Sequence, residues 1–285
     1  MLVLIGTVIV FGSIVLGFTM AGGELMALVQ VAEFVVIGGA GLGALMVATP
    51  VPVLKQMTGR LMGLLKGSPY NQATYNELLK MLYDLFMLAR REGMVALEHH
   101  AEHPYKSDFF RKYPRFAANH HAVEFLSDTL KVIISGSVQP MDLAEMMEID
   151  LDTHHSASSK VPAALAKIGD AMPGFGIVAA VLGVVVTMGA IGGEPELIGR
   201  KVAAALVGTF LGVLLAYGFF LPLAAAVEDQ VNAEHRYLLC IQGALLAFAR
   251  GDAPITAVEF ARRHVEPNVR CSFAEMEQAL KKAGA

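Results

Sequence analysis

Four stretches of this chain run for about twenty residues or more without Asp, Glu, Lys, Arg or His: 1–23, 34–54, 171–193 and 202–227. Helical residues rise by roughly 1.5 Å each, so about twenty of them cover a bilayer's hydrocarbon core of roughly 30 Å. Lipid offers the backbone no hydrogen-bond partners, which leaves helices as the form such runs can take. Only 17% of residues are charged against 55% hydrophobic, a balance that excludes an ordinary soluble domain. The fold class expected is therefore an all-α integral membrane protein with four transmembrane helices. The first run lacks a basic segment ahead of it and stays uncharged as far as Glu24, so a retained span is expected rather than a cleaved leader.

The remaining charge is segregated. Residues 1–50 contain no Lys or Arg, whereas 51–170 contain 13 of the 22. The short links 21–33 and 194–200 hold a single basic residue, Arg200, with Lys201 just beyond. The positive-inside rule then puts both links outside and the segment 55–170 inside, along with both termini. The expected domains are spans 1 and 2 (1–54), a helical cytoplasmic domain (55–170), spans 3 and 4 (171–227) and cytoplasmic C-terminal helices (228–285). Within the last, "LLCIQGALLAFA" is too short to cross a bilayer and reads as a separate packing helix.

Periodicity in the polar part is helical throughout. Leu78, Leu79, Leu82, Leu85, Phe86 and Leu88 recur near every 3.6 residues in a helix expected to end at Pro104. A second helix is expected across 119–135 with Gly136 as its stop, and a third begins after Pro140.

Within the spans, glycines stand four apart at Gly39 and Gly43 and at Gly208 and Gly212. Such spacing allows close helix approach in lipid, either inside one chain or between chains. On these boundaries no span carries a titratable acid or base, and the hydroxyls singled out are Ser13, Thr49, Thr187, Thr209 and Tyr217. Hydroxyls do not titrate near neutral pH, so an ion-conducting role would need a titratable group from a partner. Pro173 reads as a helix-start residue, and Asp170 as an N-cap or a charge at the mouth of an ion route. Pro222 should kink the fourth span.

The segments "GDAMPGFGIVAAVLGVV", "VGTFLGVLLAYGFFLPLA", "IISG" and "ARREGM", in a four-span plan, resemble the MotA/PomA family of flagellar stator subunits, nearest its proton-driven MotA branch. The resemblance implies a ring of five such subunits around a MotB-like, peptidoglycan-anchored, single-span partner that carries the ion-binding aspartate. It also implies torque on a FliG-like rotor protein. Carried over by position, Pro173 and Pro222 match the family's functional pair, and Thr209 its pathway-facing threonine. Asp170 matches an acid before the third span. Ala180 stands where sodium-driven members carry a threonine, which points to H⁺ as the transported ion, because a methyl group cannot ligate Na⁺. Arg90 and Glu98 match the rotor-contacting arginine and glutamate. On one continuous helix they would differ by about 80° in rotation and share a broad face, although Gly93 between them could interrupt it.

No cofactor, catalytic residue, metal site or nucleic-acid partner is expected, and no enzymatic activity; lipid is the expected surround. His99, His100, His103 and the pairs His120–His121 and His154–His155 read as surface histidines. The acidic run 145–152 reads as a solvated helix face, and Cys240 and Cys271 as reduced thiols. The rival functions are an ExbB/TolQ-like energiser, whose relatives have three spans, a passive membrane scaffold, and a secondary transporter.

Overall fold

A computed structural model describes residues 2–189, 192 and 194–281. Among these residues the regular structure is entirely helical. In chain order the α-helices are α1 (Leu2–Met20), α2 (Val31–Ala48), α3 (Val51–Lys66), α4 (Gln72–Glu92) and α5 (Glu98–Glu102). They continue with α6 (Pro114–Ala117), α7 (His120–Ser135), α8 (Pro140–Met188), α9 (Pro195–Leu215), α10 (Leu221–Ala249), α11 (Pro254–His264) and α12 (Phe273–Lys281). A single π-helical turn, Ala216–Phe220, joins α9 to α10. Among the described residues, four segments are long and apolar enough to cross a membrane: Val3–Met20, Leu25–Ala48, Pro140–Met188 and Pro195–Ala249.

The chain divides into two compact units, one formed by 1–67 with 158–230 and the other by 68–157 with 231–285. The first holds the apolar runs. Its small core gathers Ile37 from α2, Ile168, Met172 and Ala179 from α8, and Val207 and Leu211 from α9. Much of its remaining apolar surface is exposed, including Val8, Ile9, Leu16, Val47, Val181, Val185 and Val186. Apolar faces this extensive belong against lipid or another chain.

The second unit is packed like a soluble domain. Leu78, Leu79, Leu82, Leu85 and Phe86 of α4 meet Leu126 and Leu130 of α7, Tyr237, Ile241 and Leu245 of α10, and Val258 of α11. Phe86 stacks on Phe248 with ring centroids 4.3 Å apart. The ends follow local chemistry. Asn71 caps α4 by accepting from the Thr74 amide, and Asn119 caps α7 by accepting from that of Ala122. Gly136 closes α7 in the left-handed conformation at φ 66°, as a C-terminal glycine does.

Several boundaries differ from the sequence expectation. The second apolar run is broken at Thr49 and Pro50, and its second part becomes the start of α3, a helix the sequence reading did not separate. The helix expected after Pro140 and the third span form one 49-residue helix, with Pro162 and Pro173 inside it. Asp170 is therefore not an N-cap and Pro173 not a helix start. Likewise, 238–249 is the end of α10, continuous with the fourth span through the π turn. Residues 190, 191 and 193, at the end of the expected third span, lie outside the described residues, as do 282–285.

Candidate functional site

The contact between α8 and α9 is built from glycine. A Cβ placed on Gly176 would lie 2.7 Å from the Gly208 carbonyl oxygen, and one on Gly212 would lie 2.8 Å from the Gly176 Cα. About two turns along, a Cβ on Gly183 would meet that of Ala205 at 2.6 Å. The two backbones thus touch directly along a seam. Gly208 and Gly212 serve packing within the chain, whereas Cβ atoms on Gly39 and Gly43 would meet nothing within 4 Å.

This seam gathers most of the expected ion-pathway residues. Thr209 lies on it, its Cα 3.3 Å from a Cβ built on Gly176. Ala180 lies across from Gly208, its amide nitrogen 3.2 Å from a Cβ built there. Both side chains are half-buried. Asp170 is exposed, in a turn of α8 before the seam, and is not part of the seam.

The two prolines converge on one place. Within α8, Pro173 offers no N–H to the carbonyl of Gly169, four residues earlier. Gly169 itself packs against the segment just before Pro222: a Cβ there would lie 2.8 Å from Leu221 Cδ2 and 3.3 Å from Phe220 Cβ. Pro222 in turn follows the π turn, in which the Leu221 amide donates to the Ala216 carbonyl instead of to Tyr217. A π turn absorbs the register error that a missing donor creates. Each proline therefore loosens its own helix where the other helix leans on it.

Glu33 was missed by sequence reasoning. Because α2 begins at Val31, this acid lies in the helix's first turn, within the segment long enough to span a membrane, rather than in the preceding link. It is buried, with 7% of its surface exposed, and no described group donates to its Oε2. A Cβ on Gly208 would sit 2.5 Å from that oxygen. The statement that no span holds a titratable group is therefore corrected. The signal was present: the apolar helical pattern extends back through Val31, and an acid in a first turn complements the helix dipole.

The second unit presents Arg90 and Glu98. Gly93, at φ 87°, ends α4, and a 3-10 turn (Met94–Leu97) precedes α5. The 80° argument for a continuous helix does not hold here, since the turn resets the rotation. Arg90 lies in the last turn of α4, Glu98 opens α5, and both are exposed. Neither engages in an ion pair among the described residues.

The histidines are more varied than expected. His99, His103, His120 and His121 are exposed, but His100, His154 and His155 are half-buried. The His100 Nδ1 lies 2.9 Å from Ser107 Oγ, and burial lowers the pKa of the His100 ring. His155 and His235 face each other at 4.5 Å, and His154 lies 3.5 Å from the buried Glu234. Burial also lowers the pKa of His235 and His264. Both cysteines are free, and burial raises their thiols.

Residues 4–93 match the family described as Motility protein A N-terminal, and 117–238 match the MotA/TolQ/ExbB proton channel family. The chain is 39% identical to motility protein A of Salmonella typhimurium over 99% of its own length and 95% of that protein. The chain belongs to the MotA family. It is accordingly a flagellar motor stator subunit, in a family of proton channels rather than of enzymes. The MotA fold is borne out by the C. jejuni MotAB structure, at 19% identity with a TM-score of 0.77 covering 93% of this chain and 96% of that one. It is matched too by the flagellar MotAB stator complex from Bacillus subtilis, at 22% identity and a TM-score of 0.74 over 98% of each chain. The proton channel family alone covers ExbB and TolQ relatives as well; the N-terminal match and the four spans single out the MotA branch.

Proposed function

We propose that this chain surrounds a MotB-like single-span partner as a ring of copies, walls a proton path along the α8–α9 seam, and passes torque to a FliG-like rotor through Arg90 and Glu98. The observation that carries this reading is the glycine seam, on which Thr209 faces Gly176 and Ala180 faces Gly208, with the loosened turns at Pro173 and Pro222 meeting beyond one end of it. The solved relatives whose fold this chain shares are MotAB complexes, which supports the partner. The exposed apolar residues Ile177, Val181 and Val184 of α8 offer a surface for it in the membrane.

In this reading the spans within 1–54 and 171–227 lie in the inner membrane among lipid, and 55–170 and 228–285 lie in the cytoplasm with both termini. Exposed, and without an ion pair among the described residues, Arg90 and Glu98 suit a contact that forms and releases at each step, since rim charges steer an encounter more than they lock it. The alanine at 180 favours protons over sodium. Asp170, exposed below the seam, is a charge at the cytoplasmic mouth of the route.

The experiment is swimming speed as external sodium is removed at fixed pH, together with proton flux in cells co-expressing an unplugged partner. Unchanged speed and measurable flux are expected. Loss of swimming with sodium would overturn the proton assignment, and absence of flux in every partner context would favour a passive scaffold.

A further inference from the structure

Glu33 is the one charged side chain in 31–48, 171–189 and 202–220, the three segments that meet at the seam. Its surroundings make that placement costly. An ionised carboxylate withdrawn from water costs several kcal/mol unless paired, and a site that needed only packing would be served better by an apolar residue. Yet the chain makes room for the acid. A Cβ on Gly208 would meet Glu33 Oε2 at 2.5 Å, Ala179 Cβ at 3.0 Å and Ala180 N at 3.2 Å, so the missing side chain gives the acid its room beside α8. Intramembrane acids that face a bundle interior mark ion routes by default. The neighbouring elements supply nothing else that titrates there: α8 between Ala171 and Met188, and α9 between Val202 and Leu215, carry no acid, base or histidine. On α2 itself Glu33 stands alone, and the link before it holds only Glu24.

We propose that Glu33 is this subunit's own proton relay, a titrating acid on the route ahead of the partner's. The step balances simply. The carboxylate takes a proton from hydronium arriving at the start of α2 and releases water. The resulting carboxylic acid then passes that proton, along the Thr209 side of the seam, to a carboxylate on the partner and returns to its ionised form. The assignment rests on the proton-path reading above. It adds a second titrating group on the ring subunit, so that the path does not depend on the partner's acid alone.

The test compares Glu33→Gln and Glu33→Asp in the full complex with its partner, measuring membrane level, co-purification of the partner, proton flux and swimming speed across external pH. Glutamine keeps the shape and removes the titration. It is expected to assemble normally, to lower flux by roughly ten-fold or more, and to flatten the dependence of flux on external pH. Aspartate is expected to keep that pH dependence at a reduced rate. Wild-type flux and an unchanged pH profile with glutamine would overturn the proposal. So would failure of the glutamine complex to assemble, which would make the carboxylate a packing element. Absence of flux from the unsubstituted complex would instead overturn the underlying proton-path reading.

Discussion

At the scale of single residues, the seam makes a steep prediction. Replacing Gly176 by alanine drives a methyl group against the Gly208 carbonyl, an atom that cannot rotate away. Overpacking of this kind costs about 1–3 kcal/mol. Gly176→Ala should therefore lower the protease resistance of the detergent-solubilised protein and abolish swimming, whereas Gly39→Ala, which meets open space, should do neither. Arg90 and Glu98 invite a different experiment, because both are exposed. Reversing either charge should leave membrane levels unchanged and reduce swimming at least several-fold, and a compensating reversal on the rotor should recover it. Unimpaired motility with both reversed, without any rotor change, would remove the rotor assignment. The two cases also mark what the sequence could disclose. Charge on a soluble face was legible as charge, but its position was not, because a φ of 87° at Gly93 bends the chain where periodicity alone implied a continuous helix. Glu33 went unread for a related reason: α2 starts at Val31, ahead of the acid, and a span counted from its first uncharged residue starts too late.

At the scale of elements, the interrupted helices matter more than the regular ones. Pro222 and its π turn cost the fourth span regular hydrogen bonds, and the chain keeps them where Gly169 of α8 abuts. Pro222→Ala restores a donor and should tighten the turn to α-helical register. Melting temperature is expected to hold or rise, while swimming falls; a variant that swims like the parent would show the π turn to be shape without consequence. The four spans and the helical character were legible, since four uncharged runs and a clear 3.6-residue pattern leave few alternatives, although α3 was not separated from the second run. What joined to what was not. A proline inside a helix costs about 3 kcal/mol in isolation, so Pro173 read as a beginning. Inside α8 that cost is offset by packing of Met172 and Ile168 in the core and by the close approach of α9, neither of which composition shows.

At the scale of the whole molecule, acid is the simplest probe of the unit formed by 68–157 with 231–285. His100, His235 and His264 are all held below their usual pKa by burial. Their contribution to stability is full above the ordinary histidine value of about 6.5 and is lost as pH falls through the depressed folded values. Glu259 adds to this at lower pH, because hydrogen bonds from Arg262 and Arg263 hold its carboxyl below the ordinary range, and that stability vanishes once it is protonated. Amide hydrogen exchange in this unit should accelerate steadily as pH drops from 7 toward 5 after correction for the intrinsic rate; uniform protection would contradict it. The overall class and the family were open to reading from sequence alone because hydropathy and short motifs survive without coordinates. The meeting of α8 and α9 is a tertiary fact, and only folding supplies it. That meeting has a mechanical consequence. Helices that interlock through large side chains must repack many rotamers before one can move past the other. A pair that meets at Gly176, Gly183, Gly208 and Gly212, with alanine methyls as the largest teeth, has few rotamers to disengage, so sliding along it by a fraction of a turn should need little repacking.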